Sequence, residues 1–291
     1  MEKTISQHKN DIIEICRRVY ANGWVAANDG NISIKLDSNT VLCTPTGMSK
    51  GYLTTDELIK VDMEGNKIDG HMEPSSEAKM HIDVYKNKPG INSVVHAHPP
   101  YATGFAVAGL PLDQCVMPEI IVGLGSIPLT KFGTPSTMEI PENVRPYLKE
   151  YNVFLLENHG ALSVGSDVYQ AYYRMESLEL FAKISLFAKL AGKVQVLSEE
   201  DTKKVMEIRK QFNLPEENYP GCRIDSKIVK PDDSYVPGAG NTERNGNSGQ
   251  STVCSCGGAA ASSGDKIEIT RDKLVELVTL IVSNVVKNLK Q

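Results

Sequence analysis

Residues 91–98 read Ile-Asn-Ser-Val-Val-His-Ala-His. A short apolar run of this kind predicts a buried strand. Side chains at i and i+2 leave a strand on the same face, so His96 and His98 aim at one point. Two imidazoles so placed have the arrangement of a pair of metal ligands. Two histidines on a strand also occur without any ion, so the pair needs company before it means chemistry.

Working outward, the flanking segments alternate between two periodicities. Upstream, Pro74-Ser75-Ser76-Glu77 opens a predicted helix to about Lys86, with Ser75 or Ser76 as its N-cap. Ile32, Ile34 and Leu36 alternate with Ser33 and Lys35, the pattern of a half-buried strand. Val41–Cys43 predicts a second short strand that enters the turn Thr44-Pro45-Thr46-Gly47. Downstream, Val153–Leu156 and Ala161–Val164 read as strands around Glu157-Asn158-His159-Gly160. Helical patterns cover 4–22, 167–191 and 199–212; in the first, Ile5, Ile12, Cys16 and Tyr20 fall near one face and Gly23 supplies the stop. Helices alternating with a mixed set of strands predict an α/β layered domain.

Composition agrees. The chain has 291 residues, 41% hydrophobic and 23% charged, which excludes a disordered chain, a collagen-like fibre and a polytopic membrane protein. Net charge is −5, from 31 Lys+Arg against 36 Asp+Glu, with no long basic run. Charge therefore argues against a nucleic-acid partner. The cysteines, at 16, 43, 115, 222, 254 and 256, contain no CxxC pair. Their spacing predicts no disulfide framework, and the first residues contain no apolar signal core. Both readings point to a reducing cytosol.

A third histidine, His159, sits in a tight turn. Three neutral imidazoles with one carboxylate suit a divalent ion such as zinc. Glu77 is the candidate carboxylate, although a glutamate in a first helical turn is also favoured by the helix dipole alone. Ser75 and Ser76 place hydroxyls beside the free N–H groups of a helix start, a natural anion site. Gly30-Asn31 and Thr46-Gly47 are two more turns with small side chains; singly, such dipeptides usually just make turns.

Taken in order, Gly30-Asn31-Ile32-Ser33, Thr44-Pro45-Thr46-Gly47, Pro74-Ser75-Ser76-Glu77, His96-Ala97-His98-Pro99 and Glu157-Asn158-His159-Gly160 make a specific set. On these motifs the chain from about 5 to 215 resembles the class II aldolase/adducin family, most closely the branch that cleaves L-fuculose 1-phosphate. The resemblance implies a layered α/β fold with a mostly antiparallel central sheet flanked by helices. It implies that His96, His98 and His159 bind one catalytic zinc per subunit. Glu77 would be the remaining ligand and a proton-transfer group, while Gly30, Asn31, Thr46, Gly47, Ser75 and Ser76 would hold the substrate phosphate. It also implies a homotetramer with active sites between subunits. A Lewis-acid ion beside a carboxylate suits retro-aldol cleavage, which leaves an electron pair on carbon next to a carbonyl.

Two positions depart from the family pattern. Glu119, within Met117-Pro118-Glu119-Ile120-Ile121, stands where the aldolases often carry a tyrosine. Tyr219 is a candidate for the C-terminal tyrosine of the family, and reads equally well as a surface residue beside Pro220. Other branches of the family are ribulose-phosphate 4-epimerases, methylthioribulose-phosphate dehydratases and non-enzymatic adducin-like binding modules. The epimerase pattern has Asp where this chain has Glu77, and a module without catalysis would be expected to lose the histidines.

The domain reading is a catalytic domain over 1–222, a Gly/Ser/Ala-rich linker over 223–265 and an amphipathic helix over 266–291. Leu274, Leu277, Val278, Ile281, Val285 and Leu289 share a broad apolar face opposite Glu276, Thr279, Ser283, Lys287 and Lys290. A tethered helix of this kind resembles the encapsulation peptides of bacterial microcompartment enzymes. That resemblance implies a shell protein or co-cargo as partner and residence in the microcompartment lumen of a bacterial cytoplasm. A coiled coil or a peripheral membrane helix is the other reading, the latter weakened by few basic residues. Cys254-Ser255-Cys256 falls in the linker.

Overall fold

The computed structural model describes residues 3–212, 214 and 219–230. The chain divides into two units, Met1–Tyr235 and Val236–Gln291, and every described residue belongs to the first. The anticipated helix over 266–291 and Cys254-Ser255-Cys256 lie outside the described residues.

α1 (Ile5–Ala21) begins with a capping box, in which Gln7 N–H donates to Thr4 Oγ1 and Thr4 N–H donates to Gln7 Oε1. Its buried face is Ile12, Ile15, Cys16 and Val19, while Ile5 and Tyr20 are exposed; the stripe is rotated from the expected one. Two hairpins follow. β1 (Asn31–Lys35) pairs with β2 (Thr40–Cys43), and β3 (Ile59–Asp62) with β4 (Lys67–Asp69). The second pair escaped the sequence reading because β4 is short and fully exposed, so it carries no hydrophobic alternation. α2 (Ala78–Asn87), β5 (Ser93–Ala97), α3 (Pro100–Val107) and α4 (Pro118–Gly123) come next. β6 (Leu129–Thr130), α5 (Glu139–Val144), β7 (Val153–Leu156) and β8 (Gly160–Gly165) complete the sheet. α6 (Val168–Ala191), capped by Asp167 through Tyr169 and Gln170 N–H, and α7 (Glu199–Gln211) follow. The hairpin β9 (Cys222–Ile224) and β10 (Lys227–Val229) comes last.

The main sheet has the order β4-β3-β2-β1-β5-β8-β7-β6. It is mixed rather than the mostly antiparallel sheet expected. β6 and β7 run parallel, whereas the ladders from β4 through β7 are antiparallel. The cause is the connection: the chain crosses over through α5 between β6 and β7, and a crossover returns a strand in the same direction.

β5 is central and buried throughout. Val95 and Ala97 join the core beneath α1, α3 and α6, while Val94 joins the core beneath α2 and α5. A strand covered on both faces reads as a continuous apolar run, which is why 91–98 was legible.

The C-terminal part of the described chain corrects the cysteine reading. Cys115 and Cys222 form a disulfide with Cα atoms 5.2 Å apart. They are 107 residues apart in sequence, and their meeting depends on β9 lying beside residues 113–115. Cys115 N–H donates to Arg223 O at 3.1 Å, and Arg223 pairs with Asp113 at 2.8 Å. No local spacing encodes such a pairing, and the disulfide removes the argument for a reducing compartment. The same hairpin carries ordered chain past 222, into residues that the sequence reading gave to the linker. Cys16 and Cys43 are free and buried, and burial pushes both thiols up to about 12.

Candidate metal centre

His96 sits near the end of β5 and His98 just beyond it. The ladder between β5 and β8 pairs Ala97 with Ala161, so the turn before β8 is held beside them. In that turn Asn158 adopts a left-handed φ of 53° and His159 N–H donates to Leu156 O at 3.0 Å, turning His159 back toward the strand. Gly160 permits the approach: a Cβ there would lie 2.4 Å from His98 Cδ2 and 2.8 Å from Ala97 O. The three imidazoles end with ring centroids 4.7–5.2 Å apart, and one ligand atom from each lies within 4.8 Å of the others.

Glu77 closes the cluster. Its Oε1 is 3.3 Å from His159 Nε2 and its Oε2 is 3.5 Å from His96 Nε2. Contrary to the helix start anticipated at Ser75 or Ser76, α2 begins at Ala78, with Glu77 at the N-cap position. The Glu77 side chain does not cap the helix; it accepts from Asn31 Nδ2 at 2.7 Å, while Glu77 N–H donates to Ser75 Oγ at 3.3 Å. The turn 74–77 thus stays outside the helix because its groups are spent on the site.

The electrostatics suit a cation. His96 Nδ1–H donates to Ala161 O at 2.9 Å, which leaves Nε2 with its lone pair. Burial, then the neighbouring His159 and His98, holds His96 well below the usual imidazole range, and burial also lowers His159. His98 turns Nδ1 toward Asp29, with Oδ2 at 3.6 Å. The Nε2 atoms of His96 and His98 lie 3.2 Å apart. His159 Nδ1 is buried without a hydrogen-bond partner. A donor-poor group of imidazoles beside a carboxylate is the chemistry of a divalent-ion site. The residues present therefore fit a zinc-like ion. Asp29 went unnoticed in the sequence; its only signal was adjacency to Gly30-Asn31.

The three turns anticipated as an anion cradle come together next to this centre. Asn31 opposes His96 across the β1–β5 ladder, and its amide also reaches Ser75 Oγ at 3.4 Å. The turns 44–47 and 73–76 are joined by the Pro45–Pro74 bridge and by Thr46 N–H donating to Glu73 O at 2.9 Å. Ser76 Oγ accepts from Ser136 Oγ at 2.6 Å. Gly30 has φ +71° and a Cβ there would meet Val25 at 2.7 Å and His96 O at 2.9 Å, so no side chain fits. Gly47, at φ +74°, adopts the same left-handed conformation.

The two departures lie elsewhere. Glu119 is exposed in the first turn of α4, beside a surface cleft lined by Asp167, Tyr169 and Arg174. Tyr219 is buried, not a surface residue. Its hydroxyl donates to Ile121 O, the Arg209 guanidinium stacks 3.9 Å over its ring, and burial pushes the phenol up to about 12. Within this chain that hydroxyl is committed to the small core around Cys115, Ile121 and Met206.

A layered α/β domain with three histidines and a carboxylate converging at its central strand defines a candidate metal-dependent enzyme. The chain belongs to the family of the class II aldolase and adducin N-terminal domain, whose model matches residues 10–186. It is 36% identical over 175 residues to L-fuculose phosphate aldolase of Methanococcus maripaludis, covering 60% of this chain and 94% of that one. It is 34% identical over 200 residues to 3-oxo-tetronate 4-phosphate decarboxylase of Haemophilus influenzae, covering 67% of this chain and 94% of that one. Among solved structures, the L-fuculose-1-phosphate aldolase of Thermus thermophilus superposes with a TM-score of 0.58 at 28% identity, covering 66% of this chain and all of that one. No helix among the described residues is long and apolar enough to cross a membrane.

Proposed function

We propose that the protein is a zinc-dependent lyase that cleaves L-fuculose 1-phosphate, or a similar ketose 1-phosphate, to dihydroxyacetone phosphate and L-lactaldehyde. The observation that carries this reading is the convergence of His96, His98, His159 and Glu77 on one point within this family's fold. A zinc ion held by the three histidines would supply a Lewis acid that stabilises negative charge beside the substrate carbonyl. Glu77, steadied by Asn31, would carry the carbon-bound proton. Gly30, Asn31, Thr46, Gly47, Ser75 and Ser76 would grip the phosphate and fix the three-carbon fragment over the metal site. Release of dihydroxyacetone phosphate from L-fuculose 1-phosphate, abolished by chelation, tests the reading; no release from a zinc-loaded preparation overturns it.

The similarity to the decarboxylase supports a second reading. Decarboxylation also breaks a carbon–carbon bond and leaves an electron pair next to a carbonyl, so the same groups would serve. Carbon dioxide released from 3-oxo-tetronate 4-phosphate, without cleavage of the fuculose ester, would select it.

Assembly and location complete the proposal. A homotetramer is supported by the apolar side chains that α6 leaves exposed, Leu180, Phe187 and Leu190 among them. Residues 266–291 would be a targeting helix that binds a microcompartment shell protein or co-cargo, and lactaldehyde is a reactive product worth confining.

A further inference from the structure

Lys50 is one of the most deeply buried large side chains of the described chain, 1% exposed, and nothing in the proposed chemistry uses it. A buried ammonium is costly unless its donors are satisfied. Here Nζ donates to Met48 O at 2.8 Å and to Asn28 O at 3.1 Å. Both partners are carbonyls, which only accept, so Nζ is the donor to each. Burial lowers its pKa from the usual lysine range, and Cys16, Asp29 and Glu77 act in the opposite sense, favouring the charged form.

The two carbonyls locate the function. Met48 follows Thr46-Gly47 and Asn28 precedes Gly30-Asn31, so one ammonium ties together two of the three turns of the anion cradle. The segment is seated firmly beneath them. Gly51, next in the chain, lies so close to α1 that a Cβ would be 2.5 Å from the Tyr20 ring. This close packing fixes the backbone beside Lys50 against α1.

We infer that Lys50 is the positioning residue of the phosphate cradle: its buried ammonium holds the turns 28–31 and 46–48 in register and adds positive potential behind a bound phosphate. The inference rests on the phosphate-binding reading given above. A cation clamped behind neutral turns would make the site selective for a dianion without placing a flexible lysine in the substrate's path.

Inorganic phosphate, titrated calorimetrically into the zinc-loaded full chain, is the test. Lys50→Met should weaken phosphate binding by about tenfold or more, the scale of one charged hydrogen-bonding group, with zinc content unchanged. The ratio of kcat/KM for L-fuculose 1-phosphate to that for unphosphorylated L-fuculose should fall by a similar factor, mainly through KM. A merely structural role would lower both sugars together. Lys50→Gln, which keeps a donor and removes the charge, carries the same comparison should Lys50→Met fail to fold. Equal phosphate affinity in wild type and variant overturns the role of Lys50 alone. Absence of phosphate binding by the wild type overturns the cradle itself.

Discussion

Asn31 donates its side-chain amide to the carboxylate of Glu77 at 2.7 Å, across 46 residues of sequence. Asn31 opens β1 directly opposite His96, so this one hydrogen bond couples the anion cradle to the metal centre. It aims a carboxylate that has left its helix at His96 on β5 and His159 in the turn before β8.

The coupling separates two kinds of variant. Ser75→Ala should raise KM for the phosphorylated ketose by about 1–2 kcal/mol, roughly five- to thirtyfold, the worth of a hydrogen bond to a charged group. Asn31→Ala should raise KM and also lower kcat, because Glu77 loses its anchor. Glu77→Gln should lower kcat strongly, since an amide neither carries the proton nor ligates well. Steady-state kinetics of the three variants check this, and normal turnover by Glu77→Gln would remove it from proton transfer.

Metal dependence should follow the histidines individually. His96→Ala, His98→Ala and His159→Ala should each lose bound zinc and activity together while the circular dichroism spectrum stays native. Asp29→Asn should bind zinc about 10–100-fold more weakly, as expected for loss of an outer partner of a ligating imidazole. Metal analysis after dialysis reads both effects, and full activity of a chelator-stripped preparation would contradict them.

His81 should make the metal-free fold acid-sensitive. It is buried on α2, with Nδ1 2.7 Å from Ser33 Oγ and Nε2 unpartnered. Burial lowers its pKa from 6.5 to about 3. The unfolded chain therefore binds a proton that the folded chain refuses, and this contribution to stability is present above pH 6.5 and lost as pH falls from there toward 3. Thermal unfolding of the chelated protein should show Tm dropping through that window, and His81→Gln should flatten the slope there.

The tail should be dispensable for chemistry. The β9–β10 hairpin sets the cut: truncation at 225 would split it, so the shortened chain should end after residue 230. That variant should keep kcat/KM and gain solubility. Residues 266–291 fused to a fluorescent protein should enter assembled shells, and Leu277→Glu with Ile281→Glu should keep it out, because a charge on the apolar face resists burial. A diffuse signal with shells present would count against targeting.

Local periodicity was enough to reveal β5, β1, α6 and the same-face pair His96 and His98, because the strand period of two and the helix period of 3.6 are written in neighbouring residues. The turns at 30–31, 46–47 and 158–160 were legible for a similar reason, since small and polar residues stop elements locally. Tertiary structure alone decided that Tyr219 is buried, that Cys115 meets Cys222, that β6 runs parallel to β7, that Asp29 faces His98 and that Lys50 bridges two turns. Each of these depends on chain segments brought together by packing, and apart from the Lys50 bridge the partners lie tens of residues apart. A contact across such distances depends on the depth and direction of whole elements, which a reading of adjacent residues does not contain.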